Sequence, residues 1–212
     1  YVYSDLGLML MKQAIDTITR QPFQQYLDDT YYKKLGAGTL CFNPLDRFPR
    51  QVIAPTEDDH LFRKQQLQGY VHDPRAAMLG GIAGHAGLFA NAMDLAKVLQ
   101  MWLNRGEYGG DRFVEPSTVD LFTKRQEGYA VNRRGLGWDK PDPDPVKPQP
   151  VCKGPSLLSY GHTGFTGNMI WVDPAYDLIY IFLSNRVYPD AENTRITEMS
   201  VRTRVQQLVY NA

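Results

Sequence analysis

The 212-residue sequence predicts an α+β fold in which helices dominate the first part of the chain and strands the second. Apolar residues recur at helical spacing in several early segments, whereas the two most strand-like runs, residues 169–172 and 178–183, follow one another near the C terminus. A glycine-punctuated stretch, YGHTGFTGN at residues 160–168, directly precedes those runs. We expect residues 1–127 to form part of a helical lobe and its connection, and residues 128–212 to form a sheet lobe, together in one compact unit.

The composition is that of a globular chain with a formal net charge of zero. Hydrophobic residues make up 43%, and Lys+Arg and Asp+Glu both number 23, so nothing calls for a nucleic acid or an anionic membrane as partner. No apolar run approaches the roughly 20 residues of a membrane span. The histidines show no metal-ligand spacing and there is no phosphate loop, so we expect neither metal nor cofactor. Cys41 and Cys152 could pair or stay free.

Two helices are predicted at the start of the chain. Ser4 or Asp5 caps the first, whose apolar positions follow helical spacing. Those positions are Leu6, Met9, Leu10, Ala14 and Ile18. Tyr3 stands just before this helix, where backbone N–H groups favour a phenolate or an anionic ligand, although simple packing is the commoner role. Pro22 opens a second helix that runs to about Lys34.

The middle of the chain is less regular. From residue 40 to residue 67 the periodicity is poor, which indicates an irregular surface segment with Asp58, Asp59 and His60 in solvent. A glycine-rich loop at residues 80–87 follows, in which we expect His85 to be satisfied by backbone groups.

Two more helices lead to the sheet lobe. Asn91, with Asp94 three residues on, caps a helix whose core stripe is Leu95, Val98, Leu99 and Trp102. Pro116 starts a short helix. GLGW at residues 135–138 is typical of an edge strand, and the six prolines between residues 140 and 155 indicate an extended linker.

The sheet lobe is predicted to end in a hairpin and a helix. Turn residues 173–176 join the two strands, and the second strand is apolar at consecutive positions, which suits a central strand buried on both faces. Residues 193–209 form the last helix, whose apolar side is expected to lie across the sheet. That side consists of Val201, Val205, Leu208 and Val209.

The stretch at residues 160–168 is the strongest functional signal. Its glycines and polar side chains are Gly161, His162, Thr163, Gly164, Thr166 and Gly167. Glycine in a strand costs entropy and packs nothing, so it needs a reason, which is usually the close approach of another backbone or a ligand. The alternative is a tight hairpin rim with ordinary turn glycines.

Together these segments resemble the serine β-lactamase and penicillin-binding-protein-like hydrolases, especially the class C, D-aminopeptidase and esterase branch. Tyr3-Ser4-Asp5 looks like the family's Tyr-x-Asn box at a helix start, and His162-Thr163-Gly164 looks like its Lys-Thr-Gly box. GHAGLFANAMDLAKVLQMWLN is similar to the segment that links the helical lobe to the sheet. The resemblance implies a β-lactamase/transpeptidase-like fold, with an antiparallel sheet flanked by helices plus a helical lobe.

The resemblance also implies acyl transfer through a serine ester. Tyr3 would be the general base or proton relay, and because tyrosine ordinarily loses its proton only near pH 10, this role needs a cationic neighbour. Asp5 would contact the substrate or the family's lysine. The backbone N–H of Phe165 would be one oxyanion-hole donor. The residues implied to line the substrate cleft beside them are His162, Thr163 and Gly164.

Two departures from the family pattern affect the expected activity. No serine is followed three residues later by lysine, so the Ser-x-x-Lys box that supplies the nucleophile is missing from these residues. Because that box lies upstream of the Tyr box in the family, we expect a fold that is incomplete at its N terminus and inactive alone. We expect another chain or an upstream segment of the same polypeptide to complete the sheet, and the upstream segment to carry Ser-x-x-Lys. His162 stands where lysine is usual, and histidine is mostly neutral at pH 7, so substrates that need carboxylate recognition are expected to be poorer.

The leading interpretation is the C-terminal portion of a serine hydrolase that acts on small-molecule or peptide substrates, such as β-lactams, D-amino peptides, cell-wall-like peptides or esters. The alternative is a non-catalytic binding or structural module that keeps the fold and the cleft. The family works mostly outside the cytoplasmic membrane, so the resemblance implies a periplasmic or extracellular protein.

Overall fold

The computed structural model describes residues 2–126 and 132–212, so the lobe boundary predicted between residues 127 and 128 lies outside the described residues. The chain divides into two compact units. The N-terminal unit comprises Val2–Leu95 and Asn185–Asn193, and the sheet unit comprises Ala96–Ser184 and Thr194–Ala212. Every helix in the described ranges is too short or too polar to cross a bilayer.

The helices of the N-terminal unit are α1 (Asp5–Thr19), α2 (Phe23–Leu27) and α3 (Pro74–Met78). The hydroxyl of Ser4 accepts a hydrogen bond from the N–H of Leu6 at 3.3 Å, which confirms the predicted cap of α1. Leu10 and Ile18, two positions of its predicted apolar stripe, are exposed. The second predicted helix is present at about the expected length, as α2 followed directly by a π-helical segment at Asp28–Tyr32.

The segment at residues 40–67 is more regular than predicted. It contains an antiparallel hairpin of β1 (Pro55–Asp59) and β2 (Gln65–Gln68). The prediction that Asp59 is in solvent is wrong, because Asp59 is buried and accepts hydrogen bonds from the backbone N–H groups of the hairpin loop. His60 is exposed, as expected. Both strands are polar, so no alternation of apolar residues marked them in the sequence.

Arg63 organises this hairpin. Its guanidinium donates to Glu57 at 2.7 Å and to Asp59 at 2.8 Å, and it also donates to the backbone carbonyls of Val71 at 2.6 Å and His72 at 2.8 Å. Burial alone would raise the pKa of Asp59, but the hydrogen bonds from Arg63 and the loop N–H groups outweigh it and lower that pKa. The hairpin is therefore held by buried, charge-assisted hydrogen bonds.

The elements that precede the central sheet along the chain are α4 (Ala92–Leu103), β3 (Glu107–Tyr108), β4 (Asp111–Arg112) and α5 (Pro116–Thr123). The side chain of Asn91 accepts from the N–H of Asp94 at 2.8 Å, which confirms the predicted capping arrangement of α4. Leu99 and Trp102 belong to a core cluster of the sheet unit, as predicted for the stripe. Helix α5 begins at Pro116, also as predicted.

The sheet unit contains a three-stranded antiparallel sheet in the order β5 (Tyr160–Thr163), β6 (Met169–Asp173), β7 (Leu178–Phe182). Strand β6 pairs with β5 on one side and with β7 on the other. Both faces of β7 contact hydrophobic clusters, as expected from its consecutive apolar residues. The central position of β7 in the sheet stays a prediction. Ile179 and Ile181 pack against the cluster of Leu99 on one face, and Tyr180 and Phe182 join Trp171 in the other.

The chain ends with α6 (Arg195–Glu198) and α7 (Val201–Tyr210), separated by Ser200 at a φ of 51°. The prediction that the valine and leucine side of this helix faces the sheet is wrong. Gln206 is fully buried, whereas Val205, Leu208 and Val209 are exposed. The polar side of α7 is inside because Gln206 accepts from the N–H of Cys152 at 3.0 Å and Tyr210 donates to Asp173 at 2.9 Å.

Candidate active site

The glycine stretch forms β5 and the turn after it. A Cβ on Gly161 would collide with the carbonyl oxygen of Ile170 and the ring of Trp171 on β6. This confirms close approach of a neighbouring backbone as the reason for that glycine. Gly167 has a φ of 109°, in the left-handed region that favours glycine.

The turn after β5 is held from both sides. The N–H of Gly164 donates to the carbonyl of Asn168 at 2.8 Å, and the N–H of Gly167 donates to the carbonyl of Gly164 at 3.1 Å. Arg202 of α7 donates to both of these carbonyl oxygens, each at 3.2 Å. Phe165 sits in this turn with its side chain 67% exposed. The backbone around Phe165 is therefore fixed by a network of hydrogen bonds.

His162 lies on β5 between two fixed partners. Its Nδ1 is 2.8 Å from the carbonyl oxygen of Thr163, and its Nε2 is 3.2 Å from Nη1 of Arg134. Because a guanidinium only donates and a carbonyl only accepts, this geometry assigns the proton to Nδ1 and a lone pair to Nε2. A positive charge thus stands beside the box in which histidine replaces lysine, and it belongs to Arg134.

Asp139 joins this cluster from the neighbouring segment. The predicted edge strand at residues 135–138 is wrong, since the chain pairs with β5 only in a single bridge between Asp139 and Gly161. The buried carboxylate of Asp139 binds Arg133 at 2.7 and 2.9 Å and Arg134 at 3.2 Å. Sequence reasoning missed all three residues, because they lie in an irregular segment without periodicity. The Arg133-Arg134 pair just ahead of the predicted edge strand was the one available signal.

Tyr3 and Asp5 lie in the N-terminal unit. Tyr3 precedes α1 and is 46% exposed, and Asp5 is in the first turn of α1. Nη1 of Arg75 is 3.6 Å from the carboxylate of Asp5. The predicted cleft residues His162, Thr163 and Gly164 lie in the sheet unit together with Phe165. The convergence of Tyr3 and His162 on one groove stays a prediction.

His85 is also in the N-terminal unit. The expectation that backbone groups satisfy it is wrong, because its Nε2 is 2.9 Å from Oδ1 of Asp73. Asp73 also caps α3 by accepting from the N–H of Ala76 at 2.7 Å. Burial opposes ionisation of Asp73, but these two hydrogen bonds lower its pKa overall. The pair therefore fixes the glycine loop to the start of a helix.

Potential metal ligands are dispersed over the molecule. Within the part of the chain that the structure describes, no group of three His, Cys, Asp or Glu side chains could hold a metal ion. Cys41 and Cys152 are free thiols, and burial raises the pKa of each.

The architecture matches solved structures of one class. A β-lactamase from Mycobacterium bovis (Mb2281c) superimposes with a TM-score of 0.64 and 20% identity, covering 98% of this chain and 62% of that one. EstCE1, a hydrolase with promiscuous acyltransferase activity, gives a TM-score of 0.60 and 15% identity over 95% of this chain and 55% of that one. These likenesses show the β-lactamase/transpeptidase-like α+β fold that the sequence predicts.

Sequence comparison gives the family. The sequence model of the β-lactamase family matches residues 1–201. The chain belongs to the β-lactamase family of hydrolases, which confirms the predicted resemblance. A Salmonella gallinarum protein provisionally named as a D-alanyl-D-alanine carboxypeptidase is 34% identical over 209 residues, which cover 92% of this chain and 48% of that protein. The chain therefore spans about half the length of the curated relatives it matches.

Proposed function

We propose that this chain is part of a serine hydrolase that cleaves an amide or ester bond close to a free carboxylate, through an acyl-enzyme. The observation that carries the proposal is the guanidinium of Arg134, 3.2 Å from Nε2 of His162. The guanidinium of Arg134 also lies 3.2 Å from the carboxylate of Asp139, which accepts hydrogen bonds from Arg133 as well. Guanidinium groups recognise carboxylates through paired N–H donors.

This proposal revises the substrate preference expected from the sequence. That expectation rested on His162 alone, which lacks the fixed charge of lysine. With Arg134 beside His162, the segment that resembles the Lys-Thr-Gly box has a cation that a substrate carboxylate can approach. The name of the Salmonella gallinarum relative supports the same chemistry, because a D-alanyl-D-alanine substrate ends in a carboxylate.

The proposed roles follow the family resemblance. A serine of a Ser-x-x-Lys box outside these 212 residues attacks the substrate carbonyl, and its proton passes through Tyr3 to the leaving amine or alcohol. Water then hydrolyses the acyl-serine ester. Asp5, Thr163 and Gly164 contact the substrate, and the N–H of Phe165 donates to the oxyanion. We further propose that the protein acts outside the cytoplasmic membrane.

The test uses the full natural polypeptide. A fluorophosphonate or a fluorescent penicillin should label a serine followed three residues later by lysine. The kcat/KM for an acyl-D-Ala-D-Ala peptide should exceed that for its C-terminal carboxamide by on the order of tenfold or more. Arg134→Met should remove this preference, whereas Arg112→Met, which breaks an exposed pair with Glu107, should keep it.

Two results would contradict the proposal in different ways. Absence of any labelled serine would favour the non-catalytic module. If a serine is labelled but kcat/KM is the same for the acid and the carboxamide, the protein would be a hydrolase that does not recognise a substrate carboxylate.

A further inference from the structure

We infer that Asp139 is a positioning residue that holds the guanidinium of Arg134 against His162 and thereby sets the tautomer of His162; the inference rests on the function proposed above. Asp139 is only 4% exposed and lies beside β5. Its N–H donates to the carbonyl of Gly161 at 2.7 Å, and its carbonyl accepts from the N–H of Gly161 at 3.0 Å. Its backbone is thus anchored to the residue that precedes His162.

The carboxylate of Asp139 holds both arginines at once. Oδ1 accepts from Nε of Arg133 at 2.7 Å and from the N–H of Lys140 at 2.9 Å. Oδ2 accepts from Nη2 of Arg133 at 2.9 Å and lies 3.2 Å from Nη2 of Arg134. The side chains of Arg133 and Arg134 are 30% and 18% exposed, so both cations are partly desolvated. Without the carboxylate, two neighbouring cations would repel each other at low dielectric.

The orientation of Arg134 follows from this contact. A guanidinium is planar, so fixing Nη2 against Asp139 also fixes the direction of Nη1. Nη1 points to Nε2 of His162, which must then offer a lone pair, and Nδ1 must carry the proton that it donates to Thr163. Asp139 therefore controls a group that it does not itself touch, through a chain of three side chains.

Asp139→Asn separates positioning from simple folding. Asparagine keeps the size and the backbone bridge to Gly161. Its single acceptor oxygen and its N–H groups cannot bind both guanidinium groups, so we expect Arg134 to leave His162. The matched control is Asp120→Asn, which breaks an exposed pair with Arg105 elsewhere in the sheet unit.

The first measurement is the imidazole ¹⁵N spectrum of the full polypeptide labelled at histidine, with the His162 signals identified by His162→Gln. In the unsubstituted protein we expect a protonated-type signal at Nδ1 and an unprotonated-type signal at Nε2. Asp139→Asn should change both toward a tautomer mixture and leave the other histidines unmoved, while Asp120→Asn should change nothing. A proton on Nε2 in the unsubstituted protein, or an unaltered spectrum in Asp139→Asn, would overturn the inference.

The second measurement is steady-state kinetics on the acyl-D-Ala-D-Ala peptide and its carboxamide. Asp139→Asn should raise KM for the acid by on the order of tenfold, with a much smaller change in kcat, so that the acid-to-amide preference falls. An unchanged preference would overturn the inference. If Asp139→Asn does not fold, Asp139→Glu keeps the charge and displaces the carboxylate by one methylene, and it should shift the His162 signals in the same direction. If the full polypeptide shows no turnover, the proposed hydrolase function is refuted. The ¹⁵N spectrum of His162 would still test the role of Asp139.

Discussion

The hydroxyl of Tyr210 donates a hydrogen bond of 2.9 Å to Asp173, a carboxylate with no exposed surface at the end of the central strand. The same carboxylate accepts from the N–H of Ser156 at 2.8 Å and from its hydroxyl at 2.6 Å. Burial and the contact with Asp173 raise the pKa of Tyr210, so its hydroxyl stays protonated and remains a donor. One carboxylate thus binds the last helix and the proline-rich connection to β5.

We expect Tyr210→Phe to lower the free energy of unfolding by about 2 kcal/mol, because it removes one hydrogen bond to a charged group. Asp173→Asn should cost about 3 kcal/mol, since its amide N–H groups would face donors in a buried site. Urea denaturation followed by tryptophan fluorescence measures both. Tyr176→Phe is the control, because its side chain is 61% exposed and its loss of a hydroxyl should change stability by less than about 0.5 kcal/mol. Equal effects of the two tyrosine substitutions would contradict the expected role of Asp173.

The buried side chain of Lys140 leads us to expect that the protein becomes more stable at alkaline pH. Its ammonium is buried and donates to the carbonyls of Leu158 and Ser159 at 3.1 and 2.9 Å. Burial, with a smaller effect from the charge of Arg125, lowers the pKa of Lys140 to about 8 from its ordinary 10.5. The unfolded chain binds this proton more tightly than the folded chain does. The free-energy cost of burying the ammonium is therefore fully present below pH 8 and disappears as the pH rises toward 10.5.

We therefore expect the free energy of unfolding to rise by roughly 2 kcal/mol between about pH 7 and pH 9.5 on account of this group. Lys140→Met should abolish that rise, and Lys124→Met, at an exposed position, should preserve it. Guanidinium denaturation at several pH values tests this. An identical pH dependence in Lys140→Met and the unsubstituted protein would be inconsistent with a depressed pKa.

The adjacent residues Asp58 and Asp59 form a matched pair. Asp59→Asn should lower the free energy of unfolding by about 3 kcal/mol, because it leaves the half-buried cation of Arg63 without one of its carboxylate partners. Asp58, whose side chain is 43% exposed, should tolerate the same change within about 0.5 kcal/mol. Since the pKa of Asp59 is lowered, its contribution is present above its ordinary value near 3.8 and is lost as the pH falls below it. Thermal unfolding at pH 7 and pH 3 measures this: the difference in stability between Asp58→Asn and Asp59→Asn should be smaller at pH 3.

We expect Arg202 to stabilise the turn at Phe165 against local opening. Arg202→Met removes the donor to the carbonyls of Gly164 and Asn168, so the amide N–H groups of Gly164 and Gly167 should exchange faster with deuterium, by on the order of tenfold. Arg204→Met, on the exposed side of α7, is the control. Hydrogen exchange measured by NMR distinguishes them. Unchanged protection in Arg202→Met would mean that the strands alone fix the turn.

Local signals in the sequence were sufficient where the structure is decided locally. The caps of α1 and α4 depend on side chains within three residues of the helix start, and both appear as predicted. The close approach at Gly161 was likewise foreseeable, because a glycine inside a strand often marks a point where a neighbouring backbone leaves no room for a side chain.

Errors arose where polar contacts that leave no periodic pattern in the sequence decide the outcome. The β1–β2 hairpin is polar on both strands and depends on Arg63, which no periodicity reveals. Helix α7 turns its valines outward because Gln206 and Tyr210 have hydrogen-bond partners inside the sheet unit. Arg134 and Asp139 were missed for the same reason, since their contacts with β5, to His162 and Gly161, leave no periodic pattern in the sequence.

The contact between Arg134 and His162 joins positions 28 residues apart. A survey that sorts relatives by the tripeptide alone would class β5 as electrically neutral at this position. Under the proposed function, the cation that lysine supplies in the family is supplied here by Arg134, so we expect the two positions to change together when relatives are aligned. Lysine in the tripeptide should make an arginine at the upstream position dispensable, and histidine there should demand one.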